Sequence, residues 1–213
     1  MNSLFKFDEE MSKEFGTIIG TDEAGRGPAA GDLYVCAYCF KKEFRTSLSE
    51  DELETLKILN DSKKLSEKKR KELYKILIKC GHFKVGTIKP EIIDKINILQ
   101  AVYIGMQTSA ERVIEDINPE KFILLVDGNR RLPNFKQTQQ TIIKGDSKSA
   151  TIAAASIIAK VSRDNYMEKL SEKYPEYNFK KNKGYLTAEH IQAIKKVGAS
   201  DVHRLSFLKN ILN

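Results

Sequence analysis

A short apolar segment that ends in two adjacent carboxylates restricts the fold of this chain more than any other feature. Residues 17–19 are typical of a buried strand. Asp22 and Glu23 follow them and lead directly into a glycine-rich turn at 25–27. Two neighbouring carboxylates at the end of a buried strand are costly unless a positive charge compensates them. A divalent cation is the usual compensating charge.

Three later aspartates are candidates to complete the same site. Asp127 follows the apolar segment 122–126, which indicates a second buried strand that ends in a carboxylate. Asp146 and Asp164 are alternatives, because the intervening segment, if helical throughout, would separate them by roughly 27 Å. We choose Asp146, which precedes a buried helix. Asp164 is interpreted as a helix-surface residue that forms an ion pair beside Arg163.

The charge balance of the chain favours a polyanionic partner. The 213 residues include 36 Lys and Arg against 29 Asp and Glu, which gives a formal net charge of +7. Four carboxylates on a basic chain indicate metal-assisted attack on a phosphodiester. The alternative is that these acids are ordinary exposed loop residues.

Length and composition indicate one globular domain, or one domain with a small extension. Hydrophobic residues make up 41% and charged residues 31% of the chain. Three cysteines without a framework spacing favour a reducing compartment. Cys36 and Cys39 lie on a predicted strand with side chains on opposite faces, so we expect them to pack rather than to share a metal. The absence of a signal-peptide core and of a segment of ~20 apolar residues predicts a cytoplasmic protein outside the membrane.

Alternating strand and helix signals predict an α/β fold with a helical C-terminal appendage. Strands are expected at 15–21, 33–40, 83–88, 122–126 and 139–144. Helices are expected from about 66 to 80, from 90 to about 117, and over 150–172, 187–197 and 205–212. The start of the helix at 150 is small and apolar on nearly all sides, which indicates burial against a close neighbour.

Two segments are candidates for contact with nucleic acid. The glycines of 25–27 leave backbone N–H groups accessible to a ligand. A basic loop carries lysines interleaved with aromatic residues, a combination that can hold a backbone and stack on a sugar or base. Its members are Tyr177, Phe179, Lys180, Lys181, Lys183 and Tyr185. His190 and His203 are interpreted as packing residues.

The glycine-rich turn also permits a different interpretation. With Ala30 it matches G-x-G-x-x-A, a variant of the dinucleotide-binding pattern of oxidoreductases. Asp22 and Glu23 would repel a pyrophosphate there, and Pro28 lies inside the helix that this pattern requires.

Eight short stretches, in order, resemble those of the ribonuclease HII family, the bacterial type 2 ribonuclease H. They are Gly20-Thr-Asp-Glu-Ala-Gly-Arg-Gly-Pro28, Asn60-Asp-Ser-Lys-Lys-Leu65, Ile96-Asn-Ile-Leu-Gln-Ala101, Val126-Asp-Gly-Asn129, Lys144-Gly-Asp146, Ala153-Ala-Ala-Ser-Ile-Ile-Ala-Lys160 with Arg163-Asp164, Gly184-Tyr185, and His203-Arg-Leu-Ser-Phe207. The resemblance covers nearly the whole chain. Ribonuclease HIII is a poorer match, because its first loop is Gly-Thr-Gly-like and a substantial N-terminal domain precedes it.

The resemblance implies a ribonuclease H-like fold: a five-stranded mixed sheet, flanking helices and a helical C-terminal extension. Residues 1–172 would form the catalytic core. Residues 173–213 would form a helical substrate-binding segment packed on it. The chain is expected to act as a monomer.

The resemblance also implies an endonuclease that acts on the RNA of RNA–DNA hybrids and at single ribonucleotides in duplex DNA. Cleavage would fall 5′ of the ribonucleotide and leave a 3′-hydroxyl and a 5′-phosphate. Two Mg²⁺ or Mn²⁺ ions would be held by residues that match the family's metal ligands, which are Asp22, Glu23, Asp127 and Asp146. Residues that match its substrate contacts are Gly25, Arg26 and Gly27 at the 2′-hydroxyl, Lys63 at a phosphate, and Tyr185 at the following sugar.

One residue departs from the family pattern, since Leu186 follows Tyr185 where a glycine is usual. The alternative function is a non-catalytic hybrid-binding module on the same fold. Four intact carboxylates argue against it, because a protein that only binds a polyanion gains nothing from acids near the phosphate.

Overall fold

The computed structural model of the protein describes residues 2–212, so Met1 and Asn213 lie outside the described part. In chain order the elements are α1 (Ser3–Phe15), β1 (Thr17–Ala24), β2 (Leu33–Phe40), α2 (Glu50–Leu56), α3 (Glu67–Cys80), β3 (Gly81–Ile88), α4 (Pro90–Ile96), α5 (Ile98–Ile117), β4 (Phe122–Asp127), β5 (Gln139–Ile142), α6 (Ala150–Lys173), α7 (Phe179–Asn182), α8 (Ala188–Val197) and α9 (Lys209–Leu212). Single 3₁₀ turns lie at Ser62–Lys64, Gly145–Ser147, Pro175–Tyr177 and Leu205–Phe207. None of the helices in this part of the chain is both long and apolar enough to cross a bilayer.

Within residues 2–212, five strands form one mixed sheet in the order β3-β2-β1-β4-β5. β1 is central, antiparallel to β2 and parallel to β4. The α/β class, the mixed five-stranded sheet and the helical C-terminal region predicted from the sequence are thereby confirmed. Parallel pairing of β1 with β4 brings the ends of two strands that carry acids to the same edge of the sheet.

β1 is longer than the sequence predicts. A strand was expected over 15–21, but β1 continues to Ala24 because the ladder with β2 pairs Asp22 with Cys36 and Glu23 with Val35. The two acids therefore belong to the strand and do not follow it. Their side chains consequently alternate between the two faces of the sheet.

α6 packs on one face of the sheet, directly against β1. A Cβ atom placed on Gly20 would lie 2.5 Å from the backbone N of Ile152, so only glycine allows this approach. The first turns of α6 are built mainly from buried alanine and isoleucine, which confirms the prediction of a buried small-residue helix. α5 packs on the opposite face, where Met106 and Ala110 contact the core. Cys36 and Cys39 lie in the cores on opposite faces, as predicted.

The helices before α6 differ from the prediction in three places. α1 and α2 were not predicted. The helix expected from 90 to about 117 is two helices, because Asn97 adopts a left-handed conformation (φ 67°) and its side chain caps α5. α1 is held by long-range contacts, since the carboxylate of Asp8 accepts a hydrogen bond of 2.8 Å from the N–H of Thr151 at the start of α6.

The segment after α6 packs on the end of that helix and on the turn between β1 and β2. Met167 and Leu170 of α6 form an apolar cluster with Phe179, Ile194 and Leu208. The loop expected over 173–184 contains the short helix α7, and the helix expected over 205–212 is a 3₁₀ turn followed by α9. His190 and His203 are buried in this region, which confirms their packing role.

Candidate active site

Two strand ends bring the first acids of the site together. The parallel register pairs Thr21 of β1 with Val126 of β4. Asp22 and Asp127 are the next residue of each strand, so they lie at the same edge of the sheet. β1 and β4 are adjacent, and the two carboxylates are therefore neighbours.

A cavity of about 490 Å³ opens at this edge, and all nine residues singled out from the sequence border it. These residues are Asp22, Glu23, Gly25, Arg26, Gly27, Lys63, Asp127, Asp146 and Tyr185. They come from β1 and the turn after it, the 3₁₀ turn at Ser62–Lys64, β4, the turn before α6, and the segment before α8. Segments far apart in the chain thus meet around one opening.

Asp22 is the most buried acid of the site, with 6% of its surface exposed. Its Oδ1 accepts a hydrogen bond of 2.7 Å from the N–H of Glu23, and Ser156 of α6 borders the same cavity. Burial, followed by the nearby charges of Glu23 and Asp127, raises the pKa of Asp22 well above its usual value. A compensating positive charge would remove this penalty.

Glu23 reaches the cavity from the other face of the sheet. It also lines a second, smaller cavity of about 60 Å³ against α5, together with Val102, Tyr103 and Met106. Glu23 therefore borders both cavities, although it alternates with Asp22 across the sheet. Burial raises the pKa of Glu23 despite Arg26, whose guanidinium lies 3.7 Å from the carboxylate.

A hydrogen bond to the backbone between β5 and α6 holds Asp127 close to Asp146. Oδ1 of Asp127 accepts a hydrogen bond of 2.7 Å from the N–H of Gly145, which precedes Asp146. Lys144 turns the chain with a left-handed conformation (φ 56°). Burial, then the charges of Asp61 and Asp127, raise the pKa of Asp146 to about 6. Burial also raises the pKa of Asp127, so all four acids favour the protonated form more than usual.

The donor set fits hard divalent cations, although it is not a preformed cage. Within residues 2–212, no three Asp, Glu, His or Cys side chains converge closely enough to enclose an ion. The four carboxylates instead surround one cavity, and the charge of Asp127 contributes to the raised pKa of Asp22, Glu23 and Asp146. Carboxylate oxygens are the ligands that Mg²⁺ and Mn²⁺ prefer.

Asp164 does not lie on the helix surface beside an Arg163 partner. It is 4% exposed and pairs with Lys160, whose Nζ lies 2.7 Å from Oδ1 of Asp164. Arg163 donates instead to backbone carbonyls. The predicted ion pair is therefore present, with Lys160 as the partner, but the expectation that Asp164 lies on the helix surface is wrong.

Arg163 contacts the glycine-rich turn and binds the backbone that follows it. It is 1% exposed, and its guanidinium donates to the carbonyls of Ala30, Asp32 and Lys183 over 3.0–3.1 Å. Gly25 has φ 93°, and a Cβ atom there would lie 2.1 Å from Nε of Arg163. Glycine at 25 therefore permits both the turn and the buried guanidinium.

Tyr185 faces the same turn and is half exposed. A Cβ atom on Gly27 would lie 3.4 Å from its ring, an ordinary contact distance. The left-handed residues before it are Lys183 (φ 50°) and Gly184 (φ 85°). Leu186 occupies a position with no positive φ, so the departure from glycine there does not strain the turn.

The dinucleotide interpretation does not fit this geometry. The glycine-rich turn joins β1 to the antiparallel strand β2, and no helix begins after it. A dinucleotide-binding turn requires a helix N-terminus at that point for the pyrophosphate.

A model of the family described as Ribonuclease HII matches residues 19–210. The chain belongs to the ribonuclease HII family. It is 45% identical over 212 residues to ribonuclease HII of Fusobacterium nucleatum subsp. nucleatum, with 99% of this chain and 93% of the relative covered. It is 43% identical over 213 residues to that of Caldicellulosiruptor bescii, with 99% and 96% covered.

Solved structures of ribonuclease HII have a similar fold. One is ribonuclease HII of Archaeoglobus fulgidus in its complex with PCNA, with a TM-score of 0.68 and 26% identity, and 89% of this chain and 94% of that chain covered. Another is ribonuclease H2 of Pyrococcus horikoshii, with a TM-score of 0.65 and 26% identity, and 92% and 96% covered. Bst-RNase HIII in complex with Mn²⁺ has a TM-score of 0.69 at 17% identity, with 94% and 71% covered, and shows similarity of fold only.

As a ribonuclease HII, the chain is a metal-dependent endoribonuclease, a hydrolase that cleaves the RNA strand of RNA–DNA hybrids. The alternative of a non-catalytic hybrid-binding module is not supported. The dependence on divalent cations agrees with the acidic cavity described above.

Further residues of the ribonuclease HII cavity carried no assigned role in the sequence. Ser62, Ser156, Lys160 and Arg163 also border it. The hydroxyls of Ser62 and Ser156 lie 3.0 Å apart and join the turn that carries Lys63 to α6. Sequence stretches around all four matched the family, but no local pattern indicates that their side chains meet.

Proposed function

We propose that this ribonuclease HII cleaves both within RNA–DNA hybrids and on the 5′ side of a single ribonucleotide in duplex DNA, using two divalent cations. The products are a 3′-hydroxyl and a 5′-phosphate. The observation that carries the proposal is the shared cavity. It combines four carboxylates with an accessible glycine backbone and an exposed tyrosine.

Asp22, Glu23, Asp127 and Asp146 are the proposed ligands of Mg²⁺ or Mn²⁺. Two such cations supply Lewis acidity that activates water and stabilises the departing 3′ oxygen. The N–H of Gly145 orients Asp127, and the N–H of Glu23 orients Asp22. These contacts hold the carboxylates at the rigid ends of two neighbouring strands.

The glycine-rich turn is the proposed reader of the 2′-hydroxyl. Only that group distinguishes a ribonucleotide from a deoxyribonucleotide at a single position. Gly25 and Gly27 lack side chains that would keep a sugar from the backbone. Arg163 fixes the turn by donating to Ala30 and Asp32. The half-exposed ring of Tyr185 is then placed to stack on the sugar that follows the ribonucleotide.

Residues 173–213 are the proposed substrate-binding segment on the catalytic core of 1–172. The segment carries Tyr185 and the exposed side chains of Lys180 and Lys181. Lys63, an exposed residue that borders the cavity, is the proposed phosphate contact. One chain contains every proposed ligand and substrate contact, which supports action as a monomer.

Cleavage-site mapping tests the proposal directly. The substrate is a DNA duplex with one ribonucleotide, labelled at the 5′ end and incubated with Mg²⁺ or with Mn²⁺. We expect a single product that ends in a 3′-hydroxyl immediately 5′ of the ribonucleotide. A ladder of products, or cleavage on the 3′ side, contradicts the proposed specificity.

The metal site has its own variant and control. Asp127→Asn removes a ligand charge but no phosphate contact, so it should abolish most cleavage and retain duplex binding. Asp51→Asn changes an exposed acid on α2 that does not border the cavity, and its activity should be unchanged. Near-normal turnover by Asp127→Asn would exclude this carboxylate from the site.

A further inference from the structure

His190 and His203 form a hydrogen-bonded pair beneath the segment that carries Tyr185. Their exposed fractions are 0% and 3%, and their Nε2 atoms lie 3.0 Å apart. The rings of Tyr177 and Phe179 contact both imidazoles. Two buried imidazoles in direct contact have to share their protons in a defined way.

The partners of the two rings determine where the protons lie. Nδ1 of His203 accepts from the N–H of Ser200 at 3.0 Å, and the Ser200 hydroxyl lies 2.9 Å from the same atom. A neutral His203 therefore carries its proton on Nε2 and donates it to Nε2 of His190. His190 then carries its own proton on Nδ1, and it donates to the carbonyl of Tyr185 at 2.9 Å.

A charged ring would disrupt this arrangement. Protonation of His190 would place two N–H groups opposite each other across the 3.0 Å between the rings. Protonation of His203 would place its Nδ1–H opposite the N–H of Ser200, also at 3.0 Å. Burial disfavours the charged forms as well, since it lowers the pKa of His190 and lowers the pKa of His203 to about 4. Both rings are thus neutral at pH 7, with every ring nitrogen paired.

The pair also connects the tyrosine to the chain beyond the glycine-rich turn. The carbonyl of Tyr185 accepts from Thr187 (2.8 Å) as well as from His190. His203 forms a β-bridge with Ala30, and the N–H of Ala29 donates to the carbonyl of Gly184 at 2.9 Å. Displacement of either imidazole would therefore move Tyr185 relative to that turn.

We propose that His190 and His203 are positioning residues for cleavage at a ribonucleotide junction. When both imidazoles are neutral, the Nδ1–H group of His190 holds the backbone carbonyl of Tyr185 in place. The position of the carbonyl in turn determines the position of the tyrosine ring that faces the substrate. The proposal rests on the proposed stacking role of Tyr185. It differs from simple packing because it requires a donor at one specific nitrogen, not merely a filled volume.

Two substitutions at His190 distinguish the effect of losing the Nδ1–H donor from the effect of losing side-chain volume. Asn in its extended side-chain form places an amide N–H near the position of Nδ1, whereas Ala removes the donor. Loss of one buried hydrogen bond should lower kcat/KM on the single-ribonucleotide duplex by about tenfold for His190→Ala. His190→Asn should recover most of that loss. Equal losses for the two variants would overturn the donor role.

A double variant tests whether His190 acts through Tyr185. We expect His190→Ala to have no further effect on junction cleavage once Tyr185→Ala is present, because the ring to be positioned is gone. Additive losses would show a merely structural role. If Tyr185→Ala alone cleaves the junction normally, the proposed stacking role of Tyr185 is wrong. That outcome differs from additive losses, which would contradict only the positioning role of the histidines. His82→Ala, at an exposed site on β3, is the control with unchanged activity.

The proton arrangement can be observed in the unaltered protein. Long-range ¹H–¹⁵N spectra at pH 7 report which ring nitrogen is protonated in each of the three histidines. We expect His203 to be the Nε2–H form and His190 the Nδ1–H form, with exposed His82 as the internal reference. A charged ring in the pair, or the same form in both rings, would overturn the proposal even if no variant folds.

Discussion

Gly25→Ala should destabilise the protein far more than the same methyl group added two residues later. The change places a Cβ atom on a residue with φ 93°, a conformation that costs an L-residue about 1–2 kcal/mol. The new atom would also lie 2.1 Å from Nε of Arg163. The buried guanidinium must therefore move, although it donates to three carbonyls.

The structure gives the size of the effect. Loss of one hydrogen bond from a charged group to a carbonyl costs about 1.5–3 kcal/mol. Added to the cost of the positive φ, the total is about 2.5–5 kcal/mol, or a fall in Tm of about 5–20 °C for a domain of this size. Cleavage of both hybrids and junctions should fall with it, because the turn is displaced.

Gly27→Ala is the matched control. Its φ is not positive, and its Cβ atom would meet the ring of Tyr185 at 3.4 Å, so its Tm should remain within about 2 °C of wild type. Thermal unfolding followed by circular dichroism measures both variants. If Gly25→Ala unfolds at the same temperature as Gly27→Ala, Arg163 does not support the turn as described.

Three further predictions concern charge. Burial and neighbouring charges raise the pKa of the half-buried Asp146 carboxylate to about 6, so its ionised form destabilises the protein above that pH. In EDTA above pH 6, Asp146→Asn should therefore raise the free energy of unfolding by about 1–2 kcal/mol. Folding lowers the pKa of His203 from 6.5 to about 4, so the contribution of this residue to stability is complete above pH 6.5 and is lost as the pH falls towards 4. In urea unfolding between these pH values, the free energy of unfolding of wild type should fall by up to about 3 kcal/mol relative to that of His203→Gln. Lys180→Ala/Lys181→Ala should weaken duplex binding on DNA and hybrid alike and lower the salt slope by about one per lost phosphate contact, with the cleavage site unchanged.

Each of these measurements has a matched control. Asp51→Asn should leave stability in EDTA nearly unchanged, and Lys68→Ala/Lys69→Ala on exposed α3 should leave the salt slope unchanged. An Asp146→Asn protein less stable than wild type in EDTA would contradict the repulsion described for the site. A constant difference between wild type and His203→Gln from pH 7 to 4 would contradict the neutral buried imidazole. An unchanged slope for the Lys180/Lys181 double variant would show a solvated loop.

The acids of the site were predictable because strand ends follow from local patterns. The apolar segments at 17–19 and 122–126 indicate two buried strands, each followed by a carboxylate, and parallel pairing then brings Asp22 and Asp127 together. The full length of β1 was not predictable, since the ladder with β2 satisfies the backbone of two charged residues. The division of the helix at Asn97 was not predictable either, because the apolar pattern continues through this residue and only its positive φ separates α4 from α5.

Long-range contacts account for the remaining differences. α1 is fixed by the contact of Asp8 with the start of α6, a partner far away in the chain. Arg163 has an ordinary basic side chain in sequence, and nothing local shows that it is buried and binds three carbonyls. The burial of Asp164 was not predictable either, because two adjacent charged residues such as Arg163 and Asp164 are typical of an exposed helix face.

The central position of β1 has a consequence for the synthesis of the protein. Its partners β4 and α6 follow late in the chain, so contacts of large sequence separation have to form before the core is complete. During translation, Asp22 emerges long before Asp127 and Asp146, and Tyr185 emerges near the end. A nascent chain that ends before α6 already contains all four acids, but it lacks Ser156, Lys160 and Arg163, which α6 contributes to the wall of the cavity.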